Sequence, residues 1–320
     1  MTRNVVVLGG GPAGVNIALA LMRPGFSTTI IEPDTDAADR AAFFLARLSG
    51  AARDVPKVSS DFGAMAQADI VFDAQDQGSP ELPEQALLIR VGPANTQTQP
   101  QPIAIHLYAP IHLRRLVEVT LGTGTPAEMT QTVCDLIRDV GRVPVLAPGN
   151  RSIGARLTRC LSETADHLVL HGAIPHELDE AMVALGCDMG VYEAQDLIGL
   201  DVAYAHRNRS TNPTRPIELI PDRMIAEGRL GKKVGVGWYR YPGGGGAVID
   251  PLIEDLIHEE ARFTGIEPDV FTASDMQAQL VQALSDEVKA MLADGSAPGA
   301  NVIALVLRHG LGFPDGMVAG

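Results

Sequence analysis

His106 and Glu118, twelve positions apart in IHLYAPIHLRRLVEV (105–119), are the pair in this chain best suited to proton chemistry. An imidazole titrates near neutrality, so it can take the proton of a hydroxyl. A neighbouring carboxylate can orient the ring and stabilise the imidazolium that results. Taken alone the pair decides little: a histidine at a strand end is ordinarily a satisfied structural residue, and spacing by itself does not bring Glu118 to it.

A second constellation is GGGPAG (9–14), which follows the apolar stretch Asn4–Leu8 and opens a helix, with Glu32 at the end of the next strand. In that context Gly9 permits a tight turn, Gly11 lets the backbone approach a pyrophosphate, and Gly14 lets the helix close on the strand. Pro12 and Ala13 complete the turn that faces the phosphates. Glu32 would accept the ribose hydroxyls, and its charge opposes the extra phosphate of NADP. NAD is therefore the expected cofactor, with FAD the competing nucleotide and a glycine turn without nucleotide the plain alternative. The eight histidines show no ligand spacing such as HExxH, so no metal is expected.

These residues need a scaffold that sets them at strand ends. Asn4–Leu8, a turn over Gly9–Gly14, a helix over Val15–Met22 and a strand over Ser27–Ile31 make one βαβ unit. Further apolar runs at Ile70–Phe72, Ala86–Val91 and Ile103–Leu107 continue a parallel sheet that ends near Val143–Leu146. After Pro148 and Gly149 the pattern turns helical, at Ile153–Val169, Glu177–Leu185 and Glu193–His206, and the Gly243–Gly246 run reads as a linker. LVQALSDEVKAMLADGSAP (280–298) matches LTRCLSETADHLVLHGAIP (157–175) at Leu161/Leu284, Ser162/Ser285, Gly172/Gly295 and Pro175/Pro298, which reads as an internal helical repeat. The expected architecture is a doubly wound Rossmann-type α/β domain over 1–147, a helical substrate or assembly domain over 148–246, and a second helical repeat over 247–320.

Charge and composition exclude other classes. A net charge of −14 leaves no basic surface for nucleic acid, and 12 acidic against 3 basic residues from Ala247 to Gly320 make the last quarter a solvated acidic face. No apolar run reaches the ~18 residues of a membrane span. Cys134, Cys160 and Cys187 do not cluster and cannot all pair, so a reducing compartment, the cytoplasm, is expected. Trp238, Tyr239 and Tyr241 are expected to pack beneath the turn that carries them, and His112, His167, His171 and His176 to be surface or helix residues.

The segment around His106 resembles the catalytic segment of the 3-hydroxyacyl-CoA dehydrogenase family, in which a His and a Glu at this spacing form a dyad. ADIVFDAQ (68–75) resembles the family strand with an acidic residue beside the nicotinamide, which implies that role for Asp73, with Ala74 next to it. DLIGLDVA (196–203) and DRMIAEGRLGKKVGVGWYRYP (222–242) are similar to the helical domain, and GLGFP (310–314) to the duplicated helical domain of the multifunctional fatty-acid oxidation enzymes. The resemblance implies an L-3-hydroxyacyl-CoA dehydrogenase acting on NAD, with His106 as base and Glu118 as its partner.

The substrate side departs from the family pattern. Ala109 and Ala155 stand where the resemblance implies asparagines, and Gln97 where it implies a serine, although Asn95 and Thr96 follow the pattern in ANTQT (94–98). The span from Glu32 to Ala68 is short for the family's helical arm beside CoA, although Arg40, Arg47, Arg53 and Lys57 lie there. Three readings stay open: an acyl-CoA dehydrogenase, a dehydrogenase of a CoA-free 3-hydroxy acid, and a catalytically weakened NAD(H)-binding partner or sensor. An internal repeat can cover within one chain the surface that dimeric relatives share, so a monomer is the expected state.

Overall fold

The computed structural model describes residues 2–50, 55–75, 82–83, 85–92, 103–122, 124–149, 152–209 and 219–317, with the backbone alone for 205–209. The chain divides into two compact units, 1–153 with 295–298, and 154–294 with 299–320. Among the described residues no helix is long and apolar enough to cross a membrane.

The first unit runs β1 (Arg3–Leu8), α1 (Pro12–Ala20), β2 (Phe26–Ile31), α2 (Thr35–Ser49), β3 (Lys57–Ser59), β4 (Ile70–Asp73), β5 (Leu87–Val91), β6 (Ile103–Leu107), β7 (Leu116–Leu121), α3 (Ala127–Asp139) and β8 (Val143–Pro148). The strand order is β3-β2-β1-β4-β5-β6-β7-β8. The chain thus goes out one side of β1 and returns to build the other, which leaves a switch point at the carboxyl ends of β1 and β4. The unbroken VVVL of β1 suits a strand covered on both faces. Val5 and Val7 join Ile30 and Phe72 in a cluster with residues of α1, α2 and α3, while Val6 and Leu8 join Ile31, Val71 and Met65 in a second cluster.

Two local expectations are corrected. Helix α1 begins at Pro12 rather than Val15, because proline at the first helical position brings a preset φ and loses no needed donor. The sheet is also not parallel throughout, since β6 and β7 pair antiparallel with Ala104 opposite Thr120, Ile105 opposite Val119, His106 opposite Glu118 and Leu107 opposite Val117. The connection over 108–115 is too short for a parallel crossover, which takes about a dozen residues or more.

The second unit contains α4 (Ile153–Leu170), α5 (Pro175–Ala184), α6 (Val191–Ile198), α7 (Leu200–Arg209), α8 (Leu219–Ala226), β9 (Tyr239–Arg240), β10 (Val248–Ile249), α9 (Pro251–Thr264), α10 (Ala273–Ala293) and α11 (Ala300–Leu305). The single helix expected over Glu193–His206 is broken at Gly199, whose φ of 103° ends α6. The glycine run at 243–246 joins the antiparallel strands β9 and β10 rather than two domains, and 247–317 falls in the same compact unit as 154–246 apart from the short 295–298 segment. The two segments read as repeats form α4 and α10, each followed by a glycine of positive φ, Gly172 and Gly295.

Two buried carboxylates organise the middle of this unit. Asp179 on α5 accepts the Tyr192 and Glu193 amides, at 3.0 and 2.9 Å, so it caps α6, whose own cap residue Gly190 has no side chain to do so. Asp196 near the end of α6 accepts the amides of Trp238 and Tyr239, each at 2.9 Å, and the Tyr241 hydroxyl at 3.0 Å. Burial pushes both carboxyls up to about 6, against donors that favour the ionised form. The three aromatics do pack beneath their turn, at 2%, 7% and 3% exposure.

In the first unit a Cβ on Gly14 would lie 2.0 Å from the Gly9 carbonyl oxygen, whereas one on Gly11 would meet nothing within 4 Å. Gly14→Ala should therefore lower the unfolding free energy by about 1–3 kcal/mol or more. Gly11→Ala, which changes only an uncapped helix start, should cost less than about 1 kcal/mol. Urea midpoints measure both, and equal losses would contradict the close approach of α1 to the turn.

Candidate active site

The carboxyl ends of β2, β1 and β4 bring the nucleotide candidates together. Gly9 follows β1 with φ of 99°, and its amide donates to Ile31 of β2 at 2.9 Å. On the other side the Ala74 amide donates to Leu8 at 2.9 Å, and a Cβ on Gly9 would meet the Ala74 carbonyl oxygen at 3.2 Å. Glu32, half-buried at the end of β2, accepts from Gly10 at 2.8 Å and from Asp34 at 3.1 Å, so its carboxylate is fixed against the glycine turn.

The start of α1 fits a phosphate. Gly11 caps it without a side-chain hydrogen bond, the first turn carries no acidic residue, and the space beside Gly11 is open. Pro12 and Ala13 form that first turn. Asp73, the last residue of β4, is 2% exposed. It lies 3.4 Å from the Arg90 guanidinium on β5 and accepts the Gln75 amide at 3.2 Å. Asn95 and Gln97 lie outside the described residues.

His106 and Glu118 are direct neighbours across the β6–β7 ladder. Opposed residues of an antiparallel pair present their side chains on one face with Cβ atoms about 4.5–5.5 Å apart. Glu118 is fully buried. Its Oε2 accepts the Tyr108 hydroxyl at 2.6 Å and the Ser152 hydroxyl at 2.8 Å, and its Oε1 accepts the amide of Ile153. His106 is half-buried, and its ring meets that of Tyr108 edge-on, centroids 4.8 Å apart at 87°. Desolvation lowers the His106 pKa below its ordinary 6.5, while the Glu118 charge opposes that shift. Chemically, a histidine shifted in this direction favours its neutral, proton-accepting form, while the Glu118 charge favours the cation it would become.

Ala109, half-buried, follows β6 on the first unit, and Ala155 is exposed in the first turn of α4 on the second. Arg40, Arg47 and Lys57 are exposed, and Arg53 lies outside the described residues. Among the described residues no group of three or more His, Cys, Asp or Glu side chains could hold a metal ion. Sequence reasoning missed Tyr108 and Ser152. The first had a readable signal, two positions from His106 on a strand-like run, whereas Ser152 is 34 residues from Glu118 and had none.

Comparison with known proteins sets this geometry in context. The model of the 3-hydroxyacyl-CoA dehydrogenase NAD binding domain matches residues 87–150, and that of the 3-hydroxyacyl-CoA dehydrogenase C-terminal domain matches 153–241. The chain is 33% identical over 240 residues to a peroxisomal bifunctional enzyme of Danio rerio, covering 69% of this chain and 33% of the relative. It is 27% identical over 361 residues to that of Cavia porcellus, covering 97% and 50%. The chain thus spans a third to a half of the length of these curated relatives. Among solved structures, 3-hydroxybutyryl-CoA dehydrogenase from Escherichia coli K12 superposes with a TM-score of 0.72 over 99% of this chain and 90% of that one. At 19% identity it speaks for the fold alone.

Among the described residues three donors meet Glu118, and they predict the cost of disturbing it. In Glu118→Gln one side of the head group becomes an NH2 facing donors, so the variant should lose on the order of 1–3 kcal/mol of stability. Chemical denaturation measures this, and an unchanged midpoint would contradict the arrangement.

Proposed function

We infer, for a chain that belongs to the 3-hydroxyacyl-CoA dehydrogenase family, an NAD-dependent oxidoreductase acting at the 3-hydroxyl carbon of an acyl-CoA thioester. The observation that carries this reading is the β6–β7 register, which sets His106 opposite the buried Glu118. In oxidation His106 takes the hydroxyl proton, and in reduction it returns it. Glu118 orients the ring and offsets the imidazolium charge. The lowered pKa of His106 favours the neutral, proton-accepting form at pH 7.

Bound NAD supplies the hydride acceptor. The start of α1, from Gly11 through Gly14, would hold its pyrophosphate, and Glu32 would accept the ribose hydroxyls and disfavour a 2′-phosphate. Asp73 would stand on the nicotinamide side, and Ala74 and Asn95 are the remaining cofactor-binding candidates. A site that held the carbinol with its hydroxyl toward His106 would supply much of the rate by orientation.

A second reading, a dehydrogenase of a CoA-free 3-hydroxy acid, draws on the methyl groups of Ala109 and Ala155 and on Gln97, where amide and hydroxyl contacts are expected. The same residues motivate the third, an NAD(H)-binding partner or sensor. A monomer in the cytoplasm completes the proposal: Cys134, Cys160 and Cys187 are free thiols, which a reducing compartment preserves. The peroxisome, named for several relatives, is the competing location.

Assays with 3-hydroxyacyl-CoA esters, free 3-hydroxy acids and NAD separate these readings. Turnover of the thioester is expected, turnover of the free acid alone would favour the second reading, and NADH binding without turnover the third. His106→Ala should lower kcat by about 100-fold or more with NADH binding retained, and near-normal turnover would remove His106 from the chemistry. Because the imidazole stays neutral to lower pH than usual, the acid limb of kcat/KM for oxidation should fall below pH 6.5.

A further inference from the structure

We propose that Tyr108 and Ser152 are positioning residues for this reaction, two hydroxyls that lock the Glu118 carboxylate in the orientation from which it serves His106. The kinetic consequence rests on the dehydrogenase reading above; the positioning itself rests on geometry. With no exposure to water, Glu118 depends on protein donors, and the two hydroxyls converge on Oε2 while the Ile153 amide takes Oε1. Rotation of the head group would strip donors from both oxygens at once, so the donor set fixes the torsion as well as the place of the charge.

Tyr108 is coupled to both members of the pair. It donates to Glu118 at 2.6 Å, and its ring sets the edge-on contact with the His106 imidazole. It is 3% exposed, so neither contact competes with solvent. Around Glu118 the described residues place His106 and Tyr108 from β6 and its end, Val145 across the β7–β8 ladder, and Ser152 and Ile153 from the segment after β8. The hydroxyl donors add no formal charge. They draw on the charge of Glu118, and so set how much of it the imidazolium feels.

Tyr108→Phe keeps the ring and removes one donor, and Ser152→Ala removes the other. In the full chain with labelled histidine, NMR should show the His106 titration midpoint rising by roughly half a pH unit in Tyr108→Phe, because a less engaged carboxylate attracts the imidazolium more strongly. The acid limb of kcat/KM should move up with it. kcat should fall about three- to tenfold while KM and NADH affinity stay within about twofold. The double variant should exceed either single one. Midpoints and pH profiles unchanged from wild type in both single variants would overturn the proposal, as would a loss confined to KM and thermal stability. If the wild type oxidises no 3-hydroxy substrate, the dehydrogenase reading fails, and the His106 titration still decides whether these hydroxyls position Glu118.

Discussion

A carboxylate removed from water must have its charge and its lone pairs met by protein, and the first unit is arranged around that requirement at Glu118. The antiparallel return of β7 along β6 puts the side chain opposite His106. The residue two positions beyond His106 supplies a phenol, and the chain leaving β8 supplies a hydroxyl and an amide. An unpaired ion at this depth would cost several kcal/mol. The same donors that remove that cost also fix the head group. His106 thereby faces a stationary anion whose charge offsets part of the desolvation acting on its ring.

The second unit solves the same physical problem twice for a different end. Asp179 and Asp196 are buried where a carboxylate can replace missing local caps and hold a glycine-rich turn onto α6. Cβ atoms on Gly190 and Gly237 would fall 2.1 and 1.9 Å from these carboxylates, so the glycines make room for the anions. Trp238 packs against Tyr192 with ring centroids 4.0 Å apart and planes tilted by 40°. Aromatic residues that could suggest a ligand surface are here the lid of an internal polar network.

Much of the first unit was legible because its signals are local. A run of valines bounded by glycines reads as a doubly covered strand, and the GGGPAG turn, the start of a helix and Glu32 fall within one βαβ stretch where spacing translates directly into position. Helix α1 starts three residues before the expected Val15, since the proline of the glycine turn is favoured at a first helical position. The break at Gly199 and the β9–β10 ribbon escaped for a related reason: periodicity registers which residues are apolar, while a single positive φ or a pairing across a glycine run leaves no periodic trace.

By itself the sequence determined six of the eight sheet-forming runs, all but β3 and β7, together with the glycine turn and its acidic partner, the helical character of the second half, and the pair of residue types suited to proton transfer. Tertiary structure alone decided that His106 and Glu118 face each other, because that depends on the direction and register of β7, and a shift of one residue would turn Glu118 to the opposite face. It alone decided that Ser152 holds the carboxylate, since a hydrogen bond across 34 residues is specified by packing and has no spacing rule. Local chemistry is written along the chain; the satisfaction of a buried charge is settled only when distant segments meet.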